Sequence, residues 1–411
     1  MAPTDLVPSM LVVSGGVSLL ATGYLARLAV AARSSPAPRP STTTRIDVIV
    51  PAHNEANGIR ATIDSLLLAD YPREQMRVVV IADNCTDNTA AIARAAGATV
   101  LERTDAQLRG KGYALAHGFA WSAADGFADA VVVIDADTSI SRGTLGALAA
   151  QLAAGAGAVQ ADYRVRNVDD SWRTRLMELA FTLHHTVRSL GREHLGVSCG
   201  LRGNGMAFPL STLARVPYQA FSVVEDVEYG IQLGLAGVRV VYAPDAQVRG
   251  DMPVGGGEAA RAQRERWEDG RRALRAKWTW PLARVAWRPQ PYAFDLLADL
   301  LVPPLAAIAV TVLAGVTFST VAVFAGWSRW SALPWALSAL ALLVYIVQGI
   351  RLTDNPKAAV RALAWAPLFV VWKLFGRRRG NAAQQGEWVR TARSAEPSTS
   401  TPPRINSSSL P

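Results

Sequence analysis

Three stretches of this chain carry no charged side chain at all: Pro8 to Ala26, Leu300 to Trp327 and Ser331 to Ile350. A helix of ~20 residues crosses the ~30 Å hydrocarbon core of a bilayer, and a core helix of a soluble protein rarely stays apolar on every face for that length. The runs therefore predict membrane helices at both ends of the chain. No Lys or Arg precedes the first run and Asp5 has the wrong sign for a secretory leader, so that run reads as a retained anchor.

Charge placement follows the same division. The chain holds 42 Lys and Arg against 33 Asp and Glu, a net +9. From Arg249 to Arg288 ten basic residues face five acidic ones, and from Pro356 onward nine face two, which more than accounts for the surplus. A nucleic-acid binder would spread its basic residues over a binding face, and the earlier part of the chain shows nothing of that kind. The surplus flanks apolar runs instead, and no nucleic-acid partner is expected.

Arg27, Arg33, Arg39 and Arg45 follow the first run, so the positive-inside rule places the amino terminus outside and the next segment in the cytoplasm. Trp327, Trp330 and Trp335 mark the far interface between the second and third runs, and Arg351 marks the return. A fourth apolar stretch, Ala358 to Phe375, contains Arg361 and Lys373 and leads to Arg377, Arg378 and Arg379. Spanning would put that triplet outside, so an interfacial or re-entrant helix is expected, with Trp365 and Trp372 at headgroup depth. The expected division is an anchor at 1–33, a Pro/Ser/Thr-rich linker at 34–44 and a cytoplasmic domain at 45–290. Two membrane helices at 291–352, an interfacial segment at 353–394 and a disordered tail at 395–411 complete it.

Within the domain, strands are predicted at Ile46–Val50, Arg77–Ile81, Thr99–Glu102 and Ala130–Ile134, alternating with helices at Gly58–Ala69, Thr86–Ala96 and Tyr113–Ala124. Short continuous apolar strands between helices indicate an α/β fold whose mostly parallel sheet is covered on both faces. Ligands bind outside the carboxyl ends of such strands. There the chain places Pro51-Ala-His-Asn-Glu55, Asp83-Asn-Cys-Thr-Asp87 and Asp135-Ala-Asp137, three acidic clusters on one sheet edge. Two carboxylates at a strand-end turn suit Mg2+ or Mn2+ holding a diphosphate. Lys111, at a loop-to-helix entry, suits an anionic phosphate. Cys85 and Cys199 form no framework, the five histidines have no metal-ligand spacing, and no complete dinucleotide fingerprint occurs.

With those residues in place, the sequence resembles the membrane-bound family 2 glycosyltransferases, the group of cellulose, chitin, hyaluronan and poly-N-acetylglucosamine synthases and ceramide glucosyltransferase. The resemblance covers about residues 44 to 290. Beyond the three clusters it rests on Gly110-Lys-Gly112, Glu225-Asp226 and Gln263-Arg-Glu-Arg-Trp267, all in the family's order. It implies a GT-A fold and inverting transfer from a nucleotide-diphosphate sugar. By matching motif, Pro51, Glu55 and Asp83 belong to the nucleotide site, Asp135 and Asp137 to the diphosphate and metal. Asp226 matches the catalytic base, and Gln263, Arg266 and Trp267 the motif near the diphosphate and acceptor. Gly203, Asn204 and Gly205 fall where relatives bind acceptor, with a partial likeness.

Inversion is a single displacement, so one carboxylate must take the acceptor's proton while positive charge meets the departing diphosphate. Three membrane helices are too few to enclose a hydrated polymer without an oligomer or a secretion partner. Transfer to a lipid-linked or membrane-proximal glycan acceptor is therefore the first expectation and processive synthesis the second. An inactive nucleotide-sugar-binding partner protein would have lost a site carboxylate, and none is missing.

Overall fold

The structure is a computed structural model and describes residues 3–34, 38–255, 257–287 and 292–375. The expected tail at 395–411 and the Arg377–Arg379 triplet lie outside the described residues.

The chain opens with helix α1 (Pro3–Ala31). The domain then alternates β1 (Ile46–Ala52), α2 (Ile59–Leu67), β2 (Met76–Asp83), α3 (Thr89–Ala95), β3 (Thr99–Arg103), α4 (Lys111–Asp125) and β4 (Ala130–Val133). Next come β5 (Thr138–Ile140), α5 (Thr144–Ala153), β6 (Ala158–Val165) and α6 (Trp172–Phe181), which runs through a π-helical turn at Thr182–Val187 into α7 (Arg188–His194). β7 (Met206–Pro209), α8 (Leu210–Arg215), α9 (Glu225–Leu235) and β8 (Val240–Gly250) complete the sheet. Beyond it lie α10 (Glu258–Ala286), α11 (Ala293–Leu301), α12 (Leu305–Phe324), α13 (Leu333–Leu352), α14 (Pro356–Leu363) and α15 (Ala366–Phe375).

The eight strands form one sheet in the order β3-β2-β1-β4-β7-β6-β8-β5. The first four are parallel, β7 runs against both β4 and β6, and β8 returns parallel to β6. Every residue of β1 is buried, as a strand covered on both faces requires. Its odd-numbered Ile49 faces one apolar cluster with Val79, Leu115 and Phe119, while Val48 and Val50 face another with Ile63, Leu66 and Val132. The order reverses between β1 and β4, and a crevice opens at the carboxyl ends on either side of such a reversal.

The expected helix at Thr86–Ala96 begins only at Thr89, because the residues ahead of it serve a loop. Asp87 Oδ1 accepts from the Thr89 amide at 3.0 Å, and the Thr86 amide donates to Asn54 Oδ1 at 2.7 Å.

Among the described residues, three helices are long and apolar enough to cross a membrane: Pro8–Ala31, Leu305–Phe324 and Arg329–Leu352. They pack through small residues, which let helices approach closely. Trp335 lies against Gly15 and Gly315, and its indole N–H donates to the Leu11 carbonyl at 3.1 Å. The stretch expected as one interfacial helix is divided instead into α14 and α15, which break at Ala364–Trp365.

Where these helices meet the domain, Asp299 of α11 lies within ion-pair reach of Arg188 at 3.1 Å, Arg192 at 2.7 Å, Arg202 at 3.9 Å and Arg271 at 4.0 Å. Arg192 is fully buried, also meets Asp295 at 2.9 Å, and donates to the Tyr24 hydroxyl of α1 at 2.7 Å. Arg188 donates to the Tyr345 hydroxyl of α13 at 3.1 Å.

Candidate active site

The loop after β1 is set by its own backbone. Ile49 uses its carbonyl toward β4, and Pro51, two residues on, points the same way past the last paired residue of β4, where its missing N–H breaks no ladder bond. Asn54 takes a left-handed φ of 56°, a conformation asparagine tolerates. His53 Nδ1 donates to the Asp83 carbonyl at 2.8 Å and the Glu55 amide to Thr89 Oγ1 at 2.8 Å. The first and second acidic clusters are thus joined into one wall.

Asp83, at the end of β2, is buried and paired with Arg103 Nη1 at 2.6 Å. Arg103 ends β3, and its guanidinium stands 5.8 Å from the Tyr113 ring centroid. Sequence reasoning missed Arg103, although its place on the same sheet edge was available as a signal.

Lys111 begins α4 and occupies the centre of the crevice. Its Nζ lies 2.6 Å from Asp135 Oδ1 and 3.4 Å from Glu225 Oε1, and donates to the Gly203 carbonyl at 2.6 Å. Burial alone would lower its pKa, but the attraction of Asp135 and Glu225 outweighs it and holds the ammonium charged. Burial raises the carboxyl of Asp135, with Lys111 opposing it. Burial also lifts Glu225 to about 7 and raises Asp226. Glu225 is turned inward, whereas Asp226 keeps partial access to solvent. Of this pair, Asp226 is the one a substrate can reach.

Gly203 has φ +80°, and a Cβ there would stand 3.4 Å from Asp226 Oδ2. Asn204, expected to meet acceptor, is fully buried and faces the protein. Its Oδ1 accepts from the Asp135 amide at 3.2 Å, and its Nδ2 donates to Thr138 Oγ1 at 2.7 Å. It holds the turn that carries Asp135 and Asp137, so its side chain has no surface to offer an acceptor. Gly205 is equally internal, since a Cβ would come within 2.6 Å of Ala161 Cβ. Of the three glycine-loop residues, Gly203 alone borders the carboxylates.

Among the described residues, no three His, Cys, Asp or Glu side chains converge as a metal cage. Asp135 and Asp137 are both partly open to the crevice. Two carboxylates suffice for Mg2+ or Mn2+ when substrate phosphates and waters complete the shell, so this donor set fits such an ion.

α10 passes the opening of α9. A Cβ on Gly270 would lie 3.0 Å from Val224, the residue before Glu225, and Leu274 packs in the same cluster as Val224. Residues 263, 266, 267, 270 and 274 share one face at helical spacing. Gln263, Arg266 and Trp267 therefore lie on the side of α10 turned toward α9, with Trp267 41% exposed. A separate hollow of about 200 Å³ between α6 and α14, lined by Trp172, Arg175, Arg361 and Trp365 among others, contains none of the site carboxylates.

The carboxylates and the largely enclosed Lys111 thus line the crevice at the switch point of an α/β sheet, where folds of this kind bind their ligands. The family model described as glycosyltransferase like family 2 matches residues 44–270, more than half of the chain, and the chain belongs to that family. A probable glycosyltransferase YdaM of Bacillus subtilis is 26% identical over 49% of this chain and 49% of its own length. An N-acetylglucosaminyltransferase of Azorhizobium caulinodans is 29% identical over 57% of this chain and 63% of its own. The matches thus span about half to under two thirds of these relatives. Among solved structures, the mannosyltransferase PcManGT from Pyrobaculum calidifontis, in complex with GDP-Man and Mn2+, superposes with a TM-score of 0.56 at 21% identity. That superposition covers 88% of this chain and 98% of the other, and shows a shared fold.

Proposed function

We propose that this glycosyltransferase inverts the anomeric centre as it moves a sugar from a nucleotide-diphosphate sugar, a UDP-sugar first, to a lipid-linked or membrane-proximal glycan acceptor. The catalytic domain lies at the cytoplasmic face of a membrane that the chain crosses several times. The observation that carries this reading is the convergence of Lys111 on Asp135, Glu225 and the Gly203 carbonyl, one residue from Asp226.

The wall of Pro51, Glu55 and Asp83 receives the nucleotide. Asp135 and Asp137 would hold a divalent ion, which would supply positive charge against that of the diphosphate. Lys111 and Arg266 bring fixed positive charge to the leaving group. Asp226 accepts the acceptor's hydroxyl proton from the open side of the crevice. The three apolar helices, docked to the domain through Arg188 and Arg192, keep the site beside lipid.

Detergent-purified protein assayed for nucleoside-diphosphate release tests the reading. The donor panel includes UDP-N-acetylglucosamine and GDP-mannose, because one relative is named an N-acetylglucosaminyltransferase and a structure of the same fold is a mannosyltransferase in complex with GDP-Man. Release stimulated by lipid extract, with a short product, supports the proposal. A long polymer overturns the acceptor assignment, and no release with any donor overturns the transfer itself.

A further inference from the structure

The face of α10 turned away from the catalytic carboxylates carries a second concentration of charge. Arg261 and Arg264 project there, and α6 brings Arg173 to the same place. All three surround the Trp372 ring of α15, with guanidinium carbons 5.7, 4.8 and 4.0 Å from its centroid for Arg261, Arg264 and Arg173. Arg173 also lies 5.3 Å from the Phe369 ring and is 7% exposed.

Three guanidiniums around one indole are more than cation–π attraction requires, since each such contact is weak while the like charges repel one another. Among the described residues, the carboxylate within ion-pair reach of them is Glu268, 3.8 Å from Arg264 Nε. Arg173 Nε, Arg261 Nε, and Nε and Nη1 of Arg264 are buried without a hydrogen-bond partner among the described residues. Buried donors of this kind are normally satisfied, and an exception asks for a missing acceptor. Burial lowers the Arg173 pKa, and the neighbouring Arg264 and Arg261 lower it further. An anion with several oxygens would relieve both the repulsion and the unmade bonds, and arginine forks match phosphate geometry.

Its source follows from position. α15 continues, through α14, from the apolar helix α13, and α14 packs both against α13 and against α6, the helix that carries Arg173. The arginines therefore sit beside the end of a membrane-length helix. A helix body about 10 Å across separates them from the face bearing Gln263 and Arg266, so this anion is not the donor's diphosphate.

We propose that Arg173, Arg261 and Arg264, gathered around Trp372, bind the phosphate of a membrane lipid phosphate or diphosphate and so anchor the acceptor across α10 from the reacting centre. The inference rests on the lipid-linked acceptor proposed above. The phosphate bound here is an anchor, and the sugar-accepting hydroxyl lies further along the same molecule.

The test uses the full chain in phosphatidylcholine nanodiscs, titrated with short-chain phosphatidic acid, with the matching diacylglycerol or with inorganic phosphate, and read by tryptophan fluorescence. Phosphatidic acid saturates the wild-type signal, diacylglycerol leaves it unchanged, and the Arg173→Gln/Arg261→Gln double variant weakens phosphatidic acid binding at least ~10-fold. UDP binding by the same variant serves as the check that its domain is folded, and Arg173→Lys, which keeps the charge, retains the larger part of the lipid affinity. Undiminished phosphatidic acid binding in the folded double variant overturns the site. Inorganic phosphate binding as tightly as phosphatidic acid overturns the lipid source. Binding is read without turnover, so wild-type protein that binds phosphatidic acid but shows no lipid-stimulated transfer sinks the acceptor reading alone.

Discussion

At the scale of single residues, the crevice separates two adjacent carboxylates by access. Glu225 is buried against Lys111, and its carboxyl is raised to about 7, chiefly by burial. Asp226 stands beside Gly203 with a path to solvent. Asp226→Asn should leave nucleotide-sugar binding nearly intact and lower turnover at least ~100-fold, the low end for loss of a general base; unchanged turnover removes Asp226 from the chemistry. Because burial raises the Asp226 carboxyl, wild-type turnover should fall as pH drops through its raised pKa. Glu225 makes a separate prediction about stability. Its folded pKa exceeds the unfolded value of about 4.3, so the stability it contributes is complete below that pH and is lost as pH rises through about 7. The melting temperature of Glu225→Gln relative to wild type should therefore increase between pH 5 and pH 8, and a flat difference would refute the assignment. Asp137→Ala should abolish Mn2+ or Mg2+ dependence of nucleotide-sugar binding, measured by calorimetry with and without chelator.

At the scale of elements, the parallel half of the sheet was legible because its strands are continuous apolar runs, and their carboxyl ends placed the clusters after β1, β2 and β4 correctly along the chain. The antiparallel half was not. β5 has three residues and pairs with β8 across more than a hundred positions of sequence, which no local pattern announces. Asn204 misled for a related reason. A polar residue in a glycine-rich loop suggests a ligand contact, and only the fold shows that its amide closes the Asp135 turn. Gly112 was read for its neighbour Lys111, yet its own lack of a side chain is what lets α4 meet the segment leading into α9. A Cβ there would stand 2.3 Å from the Ala220 carbonyl oxygen. Gly112→Ala should destabilise the domain by about 1–3 kcal/mol, the usual range for overpacking. It should also lower turnover about tenfold or more, because displacing residue 220 moves Glu225 and Asp226 against Lys111. Steady-state kinetics beside thermal unfolding would check both.

At the scale of the whole molecule, the junction between apolar helices and domain was invisible in the sequence. Arg271 belongs to the basic stretch from Arg249 to Arg288, which reads as charge flanking an apolar run, and no local pattern singles out Arg188, Arg192, Arg202, Asp295 or Asp299. In the fold they form one buried network that Tyr24 and Tyr345 close from α1 and α13. Burial works to raise the Asp299 carboxyl, but Arg192, Arg202 and Arg188 outweigh it and hold it well below the usual range. The stability it contributes is present above the ordinary aspartate range and is lost as pH falls through the folded value. Removing one member of a buried ionic cluster leaves the remaining charges uncompensated, which costs about 3–5 kcal/mol. Asp299→Asn should show that loss in thermal unfolding at pH 7. Arg202 precedes Gly203, which touches both Lys111 and Asp226, so the same change should reduce kcat more than it raises KM for donor. A variant that loses stability yet keeps the wild-type kcat at a temperature where it is folded would show that the network fastens the domain to the apolar helices without positioning the catalytic loop.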